Sequence, residues 1–181
     1  AVAFLLGAFI GVGVVLIRAA LNRGVENPEQ IEALGLPVYA GIPLSETQPE
    51  LGRGGKRGRR SGAHQTNLLA VENPADLAVE ALRSLRTSLH FGMMDAKNNI
   101  LMISGPSPGV GKTFVSTNLA AIMALADQKV LLIDADMRKG FCHEIFNTSN
   151  DRGLSDVLSG QCSAEEAIHC SDMAGFLSFM P

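Results

Sequence analysis

The chain has no tryptophan and one tyrosine, Tyr39, which lies in an apolar stretch. The basic run GRGGKRGRR holds no aromatic ring to stack on bases, and a net charge of −3 at pH 7 gives no electropositive balance, so nucleic-acid binding is not expected. The three cysteines, Cys142, Cys162 and Cys170, form no CxxC pair. A zinc site from Cys162, His169 and Cys170 would have a spacing that matches no metal module, and reduced cytosolic thiols are expected instead. Also missing is an initial methionine.

Residues 1 to 17, AVAFLLGAFIGVGVVLI, carry no charge and stop at Arg18. At about 1.5 Å per residue this run reaches roughly 26 Å, close to the thickness of a bilayer core. A signal peptide would place basic residues before the apolar run and a small-residue cleavage site after it; here Arg18 and Arg23 follow instead. A buried core helix is the other alternative, but Gly7, Gly11 and Gly13 with no polar face suit lipid and helix packing. The expectation is a transmembrane helix over 1–21. The run GRGGKRGRR adds Arg53, Lys56, Arg57, Arg59 and Arg60. Positive charge beside a span marks the cytoplasmic side, so residues from about 18 onward are expected inside the cell, with the basic run as a solvated linker near anionic lipid.

Residues 22–67 read as a juxtamembrane segment and linker. ENPEQIEALGLPVYAGIPL places a proline at a short helix start and then a proline-punctuated apolar stretch, and 45–67 is rich in Gly, Ser, Gln and Arg, as a tether is. The remainder, 68–181, reads as the first part of a nucleotide-binding domain. In ENPADLAVEALRSLRTSLHF, Asn73 is the expected cap, Pro74 the first helical position and Asp76 a first-turn acid. The apolar stripe is Leu77, Ala81, Leu85 and Leu89, flanked by Ala78 and Leu82. Glu80, Arg83 and Arg86, three apart, drift by about 60° per step and share another flank, on which a salt-bridged solvent face and a functional face remain open.

SGPSPGVGKTF, residues 104 to 114, follows the apolar run NILMIS and precedes a helical pattern at Val115, Leu119, Ile122, Met123 and Ala126. Gly111, Lys112 and Thr113 satisfy the second half of a phosphate-binding loop, whereas Pro106 stands where its first glycine belongs and Gly105 comes one place early. The amides that cradle phosphate belong mainly to Gly109, Val110, Gly111, Lys112, Thr113 and Phe114. Lys112 can reach the terminal phosphates of ATP, and the Thr113 hydroxyl can ligate Mg²⁺. NILMIS is expected as a buried parallel strand, and VLLIDAD as a second that ends in Asp134 and Asp136. Two carboxylates at i and i+2 face one side, where one can serve the metal and the other an incoming hydroxyl; an ordinary strand end is the plain alternative. The fold class is α/β: an incomplete doubly wound parallel sheet with a phosphate-binding loop, preceded by a transmembrane helix and a flexible linker.

These motifs, with GLSDVLSG after them, resemble in order and spacing the bacterial tyrosine autokinases that double as polysaccharide co-polymerases in capsule and exopolysaccharide export. The resemblance covers nearly the whole chain, and that family tolerates a non-glycine at Pro106. It implies ATP and Mg²⁺ as cofactors, catalytic roles for Lys112, Asp134 and Asp136, and metal contacts from Thr113 and the two aspartates. It also implies that Glu80, Arg83 and Arg86 make a ring-forming contact with a neighbouring subunit. Its implied partners are further copies of itself, membrane lipid, the polysaccharide polymerisation and export machinery, and a cognate tyrosine phosphatase. The family's tyrosine-rich tail, a further strand-end aspartate and a periplasmic domain are not in this sequence, which is expected to be a fragment unable to phosphorylate by itself. A partitioning-type switch ATPase would carry a signature lysine at Ser107 and no leading span; a nucleotide-binding co-polymerase regulator without kinase activity is the remaining alternative.

Overall fold

The computed structural model describes residues 2–21, 25, 27–45, 68–171 and 176–181, and for 2–6, 8, 10 and 19–21 the backbone alone. Arg23 and the basic run from Arg53 to Arg60 lie outside the described residues, as does most of the expected tether. The chain divides into two compact units, Ala1–Val38 and Tyr39–Pro181.

In the first unit, α1 (Val2–Leu21) is 20 residues long with Arg18 in its last turn. Among the described residues no helix is long and apolar enough to cross a membrane. α2 (Pro28–Glu32) opens as its sequence suggests: Asn27 is extended, Pro28 takes a first-turn position that needs no N–H, and Gly35 at φ 81° helps turn the chain out.

The second unit is built on two helices. α3 (Leu69–Glu72) leads into α4 (Leu77–Gly92), and α5 (Lys112–Ala124) packs against both. Asn73 closes α3, and the cap of α4 is Asp76, whose carboxylate accepts the Ala78 N–H at 2.8 Å. The cap expected at Asn73 is thus corrected by three residues, because Pro74 and Ala75 form a turn and the helix starts where a side chain first satisfies an orphan amide. The apolar stripe is rotated as well. Leu77 is exposed, while Ala78, Val79 and Leu82 are buried and Leu85 and Leu89 half-buried against Leu68, Leu69, Leu119 and Ile122.

A turn at 125–127 sends the chain back into β1 (Val130–Ile133). β1 pairs in parallel with β3 (Leu177–Met180), which pairs antiparallel with β2 (His169–Cys170), in the order β1-β3-β2. Three short helices, α6 (Cys142–Ile145), α7 (Leu154–Leu158) and α8 (Ala164–Ala167), make the crossover. Val130 and Leu132 pack on Ala120, Ala124 and Leu177, whereas Leu131 and Ile133 are exposed, so β1 is covered on one face only, not on both as its unbroken apolar run suggests. The strand expected at NILMIS is corrected too: 99–104 has no strand assignment, and Ile100 and Met102 are exposed. A parallel strand takes its hydrogen bonds from neighbours, and among the described residues none pairs with this segment. Only Ile103 turns into the core.

Candidate nucleotide site

Local backbone geometry shapes the loop before α5. Gly109 (φ 78°) and Gly111 (φ 94°) occupy the left-handed region on either side of Val110, a conformation that a Cβ would strain. Gly111 is also the N-cap of α5, so Lys112 and Thr113 are its first two residues and their amides are among those that a helix leaves without internal partners. A Cβ on Gly109 or Gly111 would meet nothing within 4 Å, so the space beside both is open.

Gly105, one place off the strict motif, has its own reason to be glycine. A Cβ there would come within 2.7 Å of Val110 Cγ2 and 3.3 Å of Lys112 Cγ. The Lys112 stem therefore lies along Gly105, and its Nζ donates to the Ser107 carbonyl at 3.2 Å, which holds the ammonium over the loop. Thr113 is exposed. Phe114 is half-buried against the core cluster, so its side chain serves packing while its amide stays in the helix's first turn.

α5 is anchored from beneath. Asn118 is buried; its Oδ1 accepts the Ala70 N–H at 2.9 Å and its Nδ2 donates to the Phe114 carbonyl at 2.9 Å. Thr117, also buried, donates to the Thr113 carbonyl at 2.7 Å. Motif spacing gave no sign of either residue; the only signal is the polar run Ser116, Thr117 and Asn118 between the apolar stretches of α5.

Asp134 and Asp136 follow directly on β1, the strand that packs against α5. The two carboxylates differ. Asp134 accepts the Asp136 N–H on Oδ1 (3.1 Å) and the Cys142 N–H on Oδ2 (3.2 Å), and a Cβ on Gly140 would lie 2.9 Å from Oδ2. Asp136 accepts the Arg138 and Lys139 N–H groups on Oδ1 alone, at 3.2 and 3.1 Å. Asp134 thus ties the loop after β1 to the start of α6, and Asp136 keeps Oδ2 for another partner. Beside them is a cavity of about 300 Å³ lined by residues of 134–140 and by His143, Asn150, residues 153–156 and Pro181, none of them from the glycine loop. The buried Cys142 thiol is pushed well above its usual value, first by burial and then by Asp134.

Glu80, Arg83 and Arg86 do not act alike. Arg83 pairs with Glu80 and donates to the Pro74 carbonyl at 3.0 Å. Arg86 is partly buried and reaches the Ile122 carbonyl at 3.4 Å, near the end of α5. It is therefore not the wholly exposed side chain that its spacing implies.

A family model described as an AAA domain matches residues 98–181. Tyrosine-protein kinase etk of Escherichia coli (strain K12) is 53% identical over 178 residues, covering 96% of this chain and 24% of that protein. Tyrosine-protein kinase wzc of Salmonella typhimurium (strain LT2) is 52% identical over 162 residues, covering 87% of this chain and 22% of that protein. The solved kinase domain of Escherichia coli tyrosine kinase ETK superposes with a TM-score of 0.76 at 50% identity, over 87% of this chain and 59% of that one. The chain spans about a quarter of the length of these curated relatives. With about half of its residues identical over most of its length, the chain belongs to the bacterial tyrosine-protein kinase family.

Proposed function

We propose that the chain supplies the nucleotide-binding part of an ATP-dependent protein-tyrosine autokinase, anchored in the bacterial inner membrane, that regulates polymerisation and export of capsule or exopolysaccharide. The observation that carries this reading is the loop of two left-handed glycines around Val110, with Lys112 opening α5. The open space beside Gly109 and Gly111 fits phosphate oxygens, which the amides of 109–114 and the Lys112 ammonium would hold. Among the described residues no three His, Cys, Asp or Glu side chains group to hold a metal ion by themselves. Mg²⁺ keeps water and phosphate ligands and asks the protein for one or two oxygens; the Thr113 hydroxyl and Asp136 would provide them. Mg-ATP, when bound, supplies the transferable phosphoryl group and neutralises its charge. Asp134 would then fix Asp136 and the loop after β1, and Asp136 would orient the acceptor hydroxyl or the metal.

Support for anchoring comes from α1, whose run to Arg18 is uncharged and whose described side chains Phe9, Val12, Val15 and Leu16 are exposed. With Arg18 at its end, the later residues would face the cytoplasm. The exposed Glu80–Arg83 pair supports a ring of subunits in which a neighbour's tyrosine is the acceptor, with a cognate phosphatase reversing the modification. Calorimetry of the chain with Mg-ATP tests the nucleotide site. Wild type should bind and Lys112→Met should not; equal affinity would remove the basis of the reading.

A further inference from the structure

Residues 36–45 form neither helix nor strand, and Pro37 and Pro43 bias them toward an extended, threefold backbone. In such a run, positions three apart share a face. Tyr39, Ile42 and Ser45 are three apart, and all three meet the second unit's core or α4. The Tyr39 ring lies over Gly92 at the end of α4, where a Cβ would stand 3.2 Å from Cε1 and 3.4 Å from the hydroxyl oxygen. Ile42 packs against the cluster that contains Ala78, Val79 and Leu82. Ser45 donates its hydroxyl to Asp76 Oδ2 at 2.8 Å, while Oδ1 of the same carboxylate caps α4. Six residues of extended chain cover about 19 Å and sixteen of helix about 24 Å, so the segment lies antiparallel along most of α4.

The contacts continue past the cap. The Asp76 N–H donates to the Asn73 carbonyl at 3.1 Å and closes the turn whose Pro74 carbonyl accepts from Arg83. A line of bonds therefore runs from Ser45 through Asp76 and the 73–76 turn to Arg83, and from Arg83 to Glu80. We propose that residues 39–45 are a strap that fixes the first turn of α4 and, through it, the direction of Arg83, with Ser45 as the positioning residue. The consequence is that the segment leading into the domain controls how its charged helix face is presented to a second copy of the chain; this last step rests on the reading of that face as a subunit contact.

The test uses the full chain in detergent, with hydrogen exchange read over residues 77–82 and, as an internal control, over 117–124 of α5. Ser45→Ala should speed exchange in α4 roughly fivefold, the factor that one ordinary net hydrogen bond represents, and leave α5 unchanged. Ser45→Thr should restore the wild-type rate. Unchanged rates in Ser45→Ala, or a threonine that behaves like alanine, would overturn the strap. Ile42→Asp should act more strongly in the same region; should it unfold the whole domain, α5 will accelerate too and the Ser45 pair decides. Sedimentation then separates the two readings. Ser45→Ala and Arg83→Ala should weaken self-association in the same direction and the double variant no further, whereas additive losses would break the proposed coupling. If Arg83→Ala leaves association intact while Ser45→Ala still loosens α4, the subunit-contact reading falls and the strap stands.

Discussion

α4 and α5 pack on one another yet solve different problems. α5 is buried nearly all round from Thr117 to Ile122, with Asn118 bonded both to Ala70 and to its own preceding turn. α4 buries Ala78, Val79 and Leu82 and keeps Glu80 and much of Arg83 in solvent. A helix that must hold Lys112 and Thr113 still over a loop gains from anchorage on every side, because binding depends on groups already in position. A helix with one polar flank can offer that flank to something else. Arg86 joins the two: it extends from the charged side of α4 to a carbonyl near the end of α5.

This contrast can be broken most severely at Lys112. Lys112→Met removes the ammonium but not the helix, so Mg-ATP affinity should fall at least a hundredfold, about 3 kcal/mol for charge-assisted bonds, with the thermal midpoint of the unliganded chain unchanged; calorimetry and a melt check both halves. Asn118→Leu tests the anchorage. It orphans the buried Ala70 N–H and should cost about 2 kcal/mol in denaturant unfolding, whereas a cost near zero would mean that α5 is held by its apolar faces alone. Gly105→Ala pushes Val110 and the Lys112 stem aside and should weaken nucleotide binding about tenfold, roughly 1.4 kcal/mol, with little loss of stability. On the α4 side the effects should be smaller and unequal. Arg86→Ala should cost about 1 kcal/mol by freeing the Ile122 carbonyl, and Arg83→Ala at most about 0.5 kcal/mol, since its ion pair is solvent-exposed. Equal costs would dissolve the distinction between a shared bond and a presented one.

Much of the site was legible because backbone chemistry confines it. Only glycine sits comfortably at Gly109 and Gly111, and a Gly-Lys-Thr run that opens a helix leaves few other arrangements for those amides. The neighbouring strand was not legible. NILMIS has the composition of a buried strand, but pairing belongs to the partner as much as to the segment, and among the described residues no partner lies beside it. The cap of α4 was misplaced for a local reason: Asn73, Pro74 and Asp76 all suit a helix start, and the bond from Ala78 to Asp76 decides among them. Spacing alone makes Gly105 a misfit, although its close approach to Val110 and Lys112 is what the loop requires.

Sequence alone determined the phosphate-binding character of the loop, the helices on either side of it and the pair of aspartates that follows, since each depends on residue type and short spacing. Tertiary structure decided what each charge does. It tied Asp134 to the Cys142 and Asp136 amides while Asp136 kept one oxygen, drew Arg86 to α5 and Arg83 to the Pro74 carbonyl, and laid Tyr39, Ile42 and Ser45 along α4. Apart from the local bond between Asp134 and the Asp136 amide, those contacts join groups from 8 positions apart (Asp134 and Cys142) to 53 (Tyr39 and Gly92). Periodicity extends over a few turns of one element, and only the packed chain brings such partners within hydrogen-bonding distance.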